Sequence, residues 1–299
     1  MRSVQHIETT ASVVVGWRDY LELCKPKVVL VMLLTAVVGM CLATPAFPEW
    51  QPLLFGTLGI GLAAGSAAAV NHVMDRKIDE RMARTHRRPL PQGKLSPLQA
   101  LFFALLIGTA GISMLVLLVN PLTAWLTLAS LIGYALVYTV WLKRATPQNI
   151  VIGGVAGAAP PLLGWTAVSG SFDPNGLLLV LIIFAWTPPH FWALCIARKD
   201  DYARAGIPML PVTHGESFTR LQILLYSLLL IVTTALPYLT GMSGLIYLLA
   251  VSVINLRFMQ WAWRLFRRRR AEEPMQMFRY SISYIMWLFA ILLIDHYIL

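Results

Sequence analysis

Charge is scarce in this chain. Asp, Glu, Lys and Arg make up 13% of its 299 residues, against about a quarter in an average soluble domain. So few charges leave too few polar helix faces for a large soluble helical protein. Cysteine is scarcer still. Cys24, Cys41 and Cys195 show neither metal-ligand spacing nor an evident pairing. They exclude a disulfide framework and read as small apolar residues. No cleavable signal peptide is expected, because Asp19, Glu22, Lys25 and Lys27 lie just ahead of the first apolar run.

Apolar sequence fills the space that charge leaves. Hydrophobic residues reach 58%, in runs near membrane-spanning length from end to end. The expected architecture is all-α, a polytopic membrane helix bundle of about nine transmembrane helices. The spans fall near 28–43, 52–72, 98–118, 122–142, 147–167, 176–197, 219–239, 243–263 and 279–298. A flexible tail with an interfacial helix around 16–23 precedes them, giving a cytoplasmic N-terminal segment 1–23 and a transmembrane domain 24–299. Pro160-Pro161 should bend or break span five, and Pro188-Pro189 should interrupt span six.

Charge placement orients the bundle. With a cytoplasmic N-terminus and nine spans, all 24 Lys and Arg residues fall on cytoplasmic segments or cytoplasmic helix ends. Only Glu49, Asp173 and Asp295 reach the other side, where the C-terminus also lies. This is a strong positive-inside pattern. It accounts for the net charge of +10 without nucleic acid. Arg267 to Arg270 form a basic knot between the last two spans.

The densest chemistry lies in residues 71–93, NHVMDRKIDERMARTHRRPLPQG. Asn71, Asp75 and Asp79 recur every fourth residue, on one helix face. Hard oxygen donors of this kind suit magnesium. Arg87 and Arg88 follow, and guanidinium groups suit phosphate oxygens. A boundary-anchoring cluster is the plainer reading, but three such groups near a helix end are costly unless something satisfies them. Together they point to a magnesium–polyphosphate site at a membrane surface.

A second polar segment holds Lys199, Asp200, Asp201 and Arg204. Spacing pairs Asp200 with Arg204 and leaves Asp201 as a second metal ligand. At the end of span four, Tyr134 and Tyr138 share a face. Lys143 or Arg144 can draw off charge from a departing diphosphate. Asn149 is a polar residue near the start of span five. His190, beside Trp192, and His72 can each ligate an iron porphyrin or act on a proton. The plainer reading is a histidine bonded to a neighbouring helix.

Three strings carry a resemblance: residues 71–93, then YTVWLKRATPQNIVIGGVAGAAPPLLGW, then WTPPHFWALCIARKDDYARAGIPMLPV. They resemble the UbiA-type membrane prenyltransferases, and the second and third favour the branch that acts on haem. The resemblance implies a UbiA-like fold in the cell inner membrane, with magnesium as cofactor. It implies that farnesyl diphosphate and haem b are substrates, and that farnesyl transfer to a haem vinyl group with addition of water gives haem O. It assigns Asn71, Asp75 and Asp79 to the first aspartate motif and Asp200 and Asp201 to the second. The family pattern puts an aspartate four residues before Asp201, where this chain has Ala197. So the second motif either holds magnesium less tightly or lets Lys199 contact diphosphate. Membrane lipid is an expected partner, as is contact with haem A synthase or a terminal-oxidase assembly. Prenylation of a quinone-type aromatic ring is the alternative chemistry. A transporter gives no reason for carboxylates every fourth residue beside a basic loop.

Overall fold

The computed structural model describes residues 15–267 and 270–298. The tail 1–14 with His6, and Arg268 and Arg269 of the basic knot, lie outside the described residues.

Every described element is helical. A short helix α1 (Trp17–Leu23) leads into α2 (Pro26–Leu42) across a 55° bend. A π-helical turn, Pro52–Gly56, opens α3 (Thr57–Asp79). Then come α4 (Pro97–Leu118) and α5 (Pro121–Ile132), the latter continued by a π-helical stretch, Gly133–Leu142, and α6 (Lys143–Ala145). Next are α7 (Asn149–Ala158), α8 (Pro160–Ser169) and α9 (Pro174–Ala197). Short helices α10 (Lys199–Arg204) and α11 (Leu210–Thr213) precede α12 (Gly215–Leu239), α13 (Leu245–Arg267) and α14 (Glu273–Ile298).

Eight helical stretches are long and apolar enough to cross a membrane, and α1 with α2 makes a ninth as a bent pair. Helix starts follow local chemistry. Ser96 caps α4 in a reciprocal box with Gln99, and Asn120 caps α5 through the Thr123 amide. Proline at the first turn of α4, α5 and α9 removes an N–H that had no partner there.

The helices close into a ring, α14 packing back on α2 and α9, with α8 set between α2, α5 and α9. Small residues let backbones meet. Gly39 and Gly164 face Pro161 and Ala36 so closely that a Cβ on either would strike the facing carbonyl. Large side chains such as Leu105, Leu117, Trp125 and Leu249 stand exposed around the outside, the surface a bilayer covers.

The two proline pairs behave differently. Span five breaks at Ala159, ahead of Pro160, as the sequence predicts. Span six does not break: α9 runs straight through Pro188 and Pro189. Both flanks of that pair are pinned to one residue of α14. Trp186 Nε1 donates to the Ser281 carbonyl at 2.8 Å, and His190 Nδ1 lies 2.6 Å from Ser281 Oγ. Packing on a neighbouring helix thus holds the line that the missing amides weaken.

Candidate active site

The last two turns of α3 carry Asn71, Asp75 and Asp79, all buried. Small residues upstream make this possible by drawing α4 close. Ser66 Oγ donates to the Ala104 carbonyl at 2.7 Å, and Gly59 meets Gly111 backbone to backbone. The polar end is therefore held rigidly from below.

Three cations from three other segments meet these oxygens. Lys143 Nζ donates to Asp75 Oδ2 at 2.6 Å, and the Asn71 amide donates to the same atom at 2.8 Å. Arg88 Nη1 pairs with Asp79 Oδ2 at 2.7 Å. Lys25 Nζ donates to Asn71 Oδ1 at 2.5 Å. The π-helical stretch of span four brings Lys143 to this face. It also aims Thr139, whose Oγ1 accepts from Asn71 at 3.1 Å and donates to the Tyr134 carbonyl at 2.8 Å. Such stretches cost regularity and often mark working sites.

Lys25 sits at the elbow between α1 and α2 with φ 51°, the only positive φ outside glycine among the described residues. That conformation costs a non-glycine residue about 1–2 kcal/mol. It lets the side chain reach Asn71 rather than water.

Tyr134 and Tyr138 stack at 5.5 Å, near enough to Asp75 to feel its charge. They and His190 are half-buried. His190 is stacked between Trp186 (4.2 Å) and Phe278 (4.6 Å). The Ser281 hydroxyl gives its proton to the Phe278 carbonyl at 2.7 Å, so it accepts from His190 Nδ1. The other nitrogen, Nε2, keeps a free lone pair. His72 is buried with neither ring nitrogen bonded.

Asn71, Asp75 and Asp79 offer only oxygen donors, and Asp75 Oδ1 is buried without a partner. This set fits a hard divalent cation. Among the described residues no three His, Cys, Asp or Glu side chains converge as a self-sufficient metal cage. An ion here needs oxygens from elsewhere, as magnesium does when it bridges to phosphates.

Other expected residues are placed differently. Asp201 is buried and takes Arg204 Nη2 on Oδ1 at 2.5 Å, so Arg204 pairs with Asp201 and not with Asp200. Asp200 stands exposed, while the next two residues of the short helix, Asp201 and Tyr202, take its buried face. Lys199 turns to Glu216 at 3.6 Å, a partner on α12 beyond the reach of sequence spacing. Arg87 is exposed while its neighbour Arg88 does the pairing. Arg144 is exposed and donates to the Met74 carbonyl at 3.2 Å, locking span four to α3. Asn149 is fully buried and donates to the Thr146 carbonyl at 2.7 Å, tying the start of α7 to the turn before it. Trp192 is a core residue, edge-on to Tyr226 at 5.3 Å. The residues that the sequence did not single out are Lys25, Thr139 and Ser281. Only Lys25 had a signal, as a lysine held at a helix start by Pro26.

A helical membrane bundle with paired carboxylates and converging cations at one end defines a class, the membrane-embedded enzymes that handle prenyl diphosphates. The chain belongs to the UbiA prenyltransferase family, whose model matches residues 32–290. It is 63% identical over 284 residues to protoheme IX farnesyltransferase 1 of Pseudomonas putida (strain W619), covering 95% of this chain and 96% of that one. It is 61% identical over 290 residues to protoheme IX farnesyltransferase of Hahella chejuensis, covering 97% and 96%. Among solved structures, digeranylgeranylglyceryl phosphate synthase shares the fold with a TM-score of 0.79 at 17% identity, over 94% of this chain and 99% of that one. A UbiA homolog from Archaeoglobus fulgidus bound to GPP and Mg2+ shares it with a TM-score of 0.63 at 18% identity, over 92% and 99%.

Proposed function

We infer that this chain transfers the farnesyl group of farnesyl diphosphate to a vinyl group of haem b, with addition of water, giving haem O and diphosphate. The observation that carries the reading is the face formed by Asn71, Asp75 and Asp79 with Lys25, Arg88 and Lys143 around it. The near-full-length likeness to protoheme IX farnesyltransferases supports the choice of acceptor.

Asn71, Asp75 and Asp79 would hold magnesium, which when bound neutralises diphosphate charge. Asp201, clamped by Arg204, would supply a further carboxylate from the second motif. Lys25, Lys143 and Arg88 are positioned to take diphosphate oxygens as charge builds on the leaving group. The allylic C–O bond breaks and the terminal vinyl carbon of haem attacks farnesyl C1. Water then captures the cation next to the ring and loses a proton. Tyr134 and Tyr138, stacked near Asp75, would shield the first cation from stray water. His190, with Nε2 free, is suited to meet the haem iron, and His72, buried one residue from Asn71 with neither ring nitrogen bonded, is the second imidazole assigned to the haem or prenyl pocket.

The reading places the protein in the cell inner membrane, N-terminus and Asp75 on the cytoplasmic side and C-terminus opposite. Contact with haem A synthase or a terminal-oxidase assembly, which would take the product on, belongs to the same proposal. Mass spectrometry of haem from cells expressing the chain tests it, beside an in vitro assay with haem b and 4-hydroxybenzoate as rival acceptors. Conversion of haem b to haem O is expected. Product with the benzoate alone would overturn the choice of acceptor.

A further inference from the structure

A second basic site lies outside the Asp75 face. Where α3 leaves the bundle, a cleft of about 670 Å³ opens between α3, the end of span four and the loop 205–207. Arg76, Lys77, Arg81 and Arg144 line it together with apolar residues such as Val140 and Ile207. No acidic residue lines it. Among the described residues, none of the four cations forms an ion pair. Lys77, in the last turn of α3, and Arg81, two residues beyond its end, line the same cleft, where like charges repel unless an anion lies between them. They point elsewhere than Asp75 and Asp79, since both are exposed while the two carboxylates are buried.

An exposed apolar track runs from this cleft up span four. Leu136, Val137 and Trp141 continue from Val140, all facing outward where lipid chains lie. A cationic mouth above such a track matches one ligand chemistry, a phosphate carrying long acyl chains. We propose that this cleft binds the headgroup of an anionic phospholipid of the cytoplasmic leaflet. The bound headgroup bears on the site next door. Arg144 lines the cleft, ties span four to α3 through the Met74 carbonyl, and directly follows Lys143, the partner of Asp75.

The full-length protein in dodecyl maltoside is titrated with cardiolipin, phosphatidylglycerol and phosphatidylcholine, and bound lipid is counted by native mass spectrometry. Separate arms add inorganic phosphate or farnesyl diphosphate. The wild type should retain the anionic lipids at least about tenfold better than phosphatidylcholine. The triple variant Arg76→Gln, Lys77→Gln, Arg81→Gln should lose at least about tenfold of that retention. Its melting temperature and its farnesyl transfer in lipid-free detergent should stay at wild-type levels. Equal retention by both proteins, or equal retention of phosphatidylcholine, overturns the proposal. So does one-for-one displacement by farnesyl diphosphate or by phosphate, which would assign the cleft to the prenyl donor or to a free ion. If the triple variant does not fold, Lys77→Gln alone must still lower anionic retention measurably, and no change there overturns the proposal equally. Loss of the proposed haem farnesylation would leave these lipid ratios untouched.

Discussion

Replacing Lys143 with glutamine separates what the ammonium does for folding from what it does for chemistry. Its Nζ lies 2.6 Å from Asp75 Oδ2, with side-chain exposures of 14% and 3%. Stripping one partner from a buried pair costs about 3–5 kcal/mol, because the remaining charge is left uncompensated. Asp75 still accepts from Asn71 at 2.8 Å and has Lys25 nearby, so the lower end, about 3 kcal/mol, is expected. Apparent melting in detergent should fall by several degrees. The double variant Asp75→Asn, Lys143→Gln should regain most of that loss, since no lone charge stays buried. Farnesyl transfer should not follow. Losing one electrostatic donor aimed at a departing anion lowers kcat by about 10²–10³, and removing the carboxylate as well lowers it further. Melting curves and single-turnover rates on the four proteins of the cycle decide the matter. Wild-type turnover by Lys143→Gln would refute the role given to its ammonium.

Other outcomes follow from the same geometry. Lys25→Met removes a charge-assisted bond worth about 1.5–3 kcal/mol; the apparent affinity for farnesyl diphosphate, read by steady-state kinetics, should fall at least about tenfold. Asp200→Asn should leave transfer and its magnesium dependence nearly unchanged, whereas Asp201→Asn should raise the magnesium concentration needed for half-maximal rate. Gly39→Ala and Gly164→Ala each drive a methyl into a backbone carbonyl of the facing helix. Thermal unfolding in detergent should show a loss of at least about 1–3 kcal/mol for either one. Ser281→Ala removes the acceptor that fixes the His190 ring. The visible spectrum of added haem should change if His190 meets the iron, and an unchanged spectrum would remove His190 from that role.

The spans were legible because each is a long apolar run between charges, and nearly all their boundaries lie within a few residues of the helices. Span two outruns its apolar stretch, since α3 continues as a helix through the polar residues to Asp79. Pro160 announced its break, but Pro188 and Pro189 did not reveal that α14 would brace them, because that bracing comes from Ser281, some 91 residues away along the chain from His190. Asp75 and Asp79 were visible through a local four-residue repeat. Lys25 was not. Its partner Asn71 is 46 residues distant, and the reach depends on a left-handed backbone angle that no residue type advertises. Asp200 and Asp201 were ambiguous for a local reason: in a short helix, spacing alone does not say which of two neighbours faces in.

The elbow at Lys25 turns the start of the chain into a lever. α1 is moored to α4 and the loop before it by the Tyr20–Phe103 ring contact at 5.1 Å and the Asp19–Lys94 pair at 3.8 Å. Any pull on α1 is therefore transmitted through one strained residue to the ammonium on Asn71. Loosening that mooring with Tyr20→Ala should disturb prenyl-donor handling, while His296→Ala at the far end, which frees only the Thr44 carbonyl, should leave it intact.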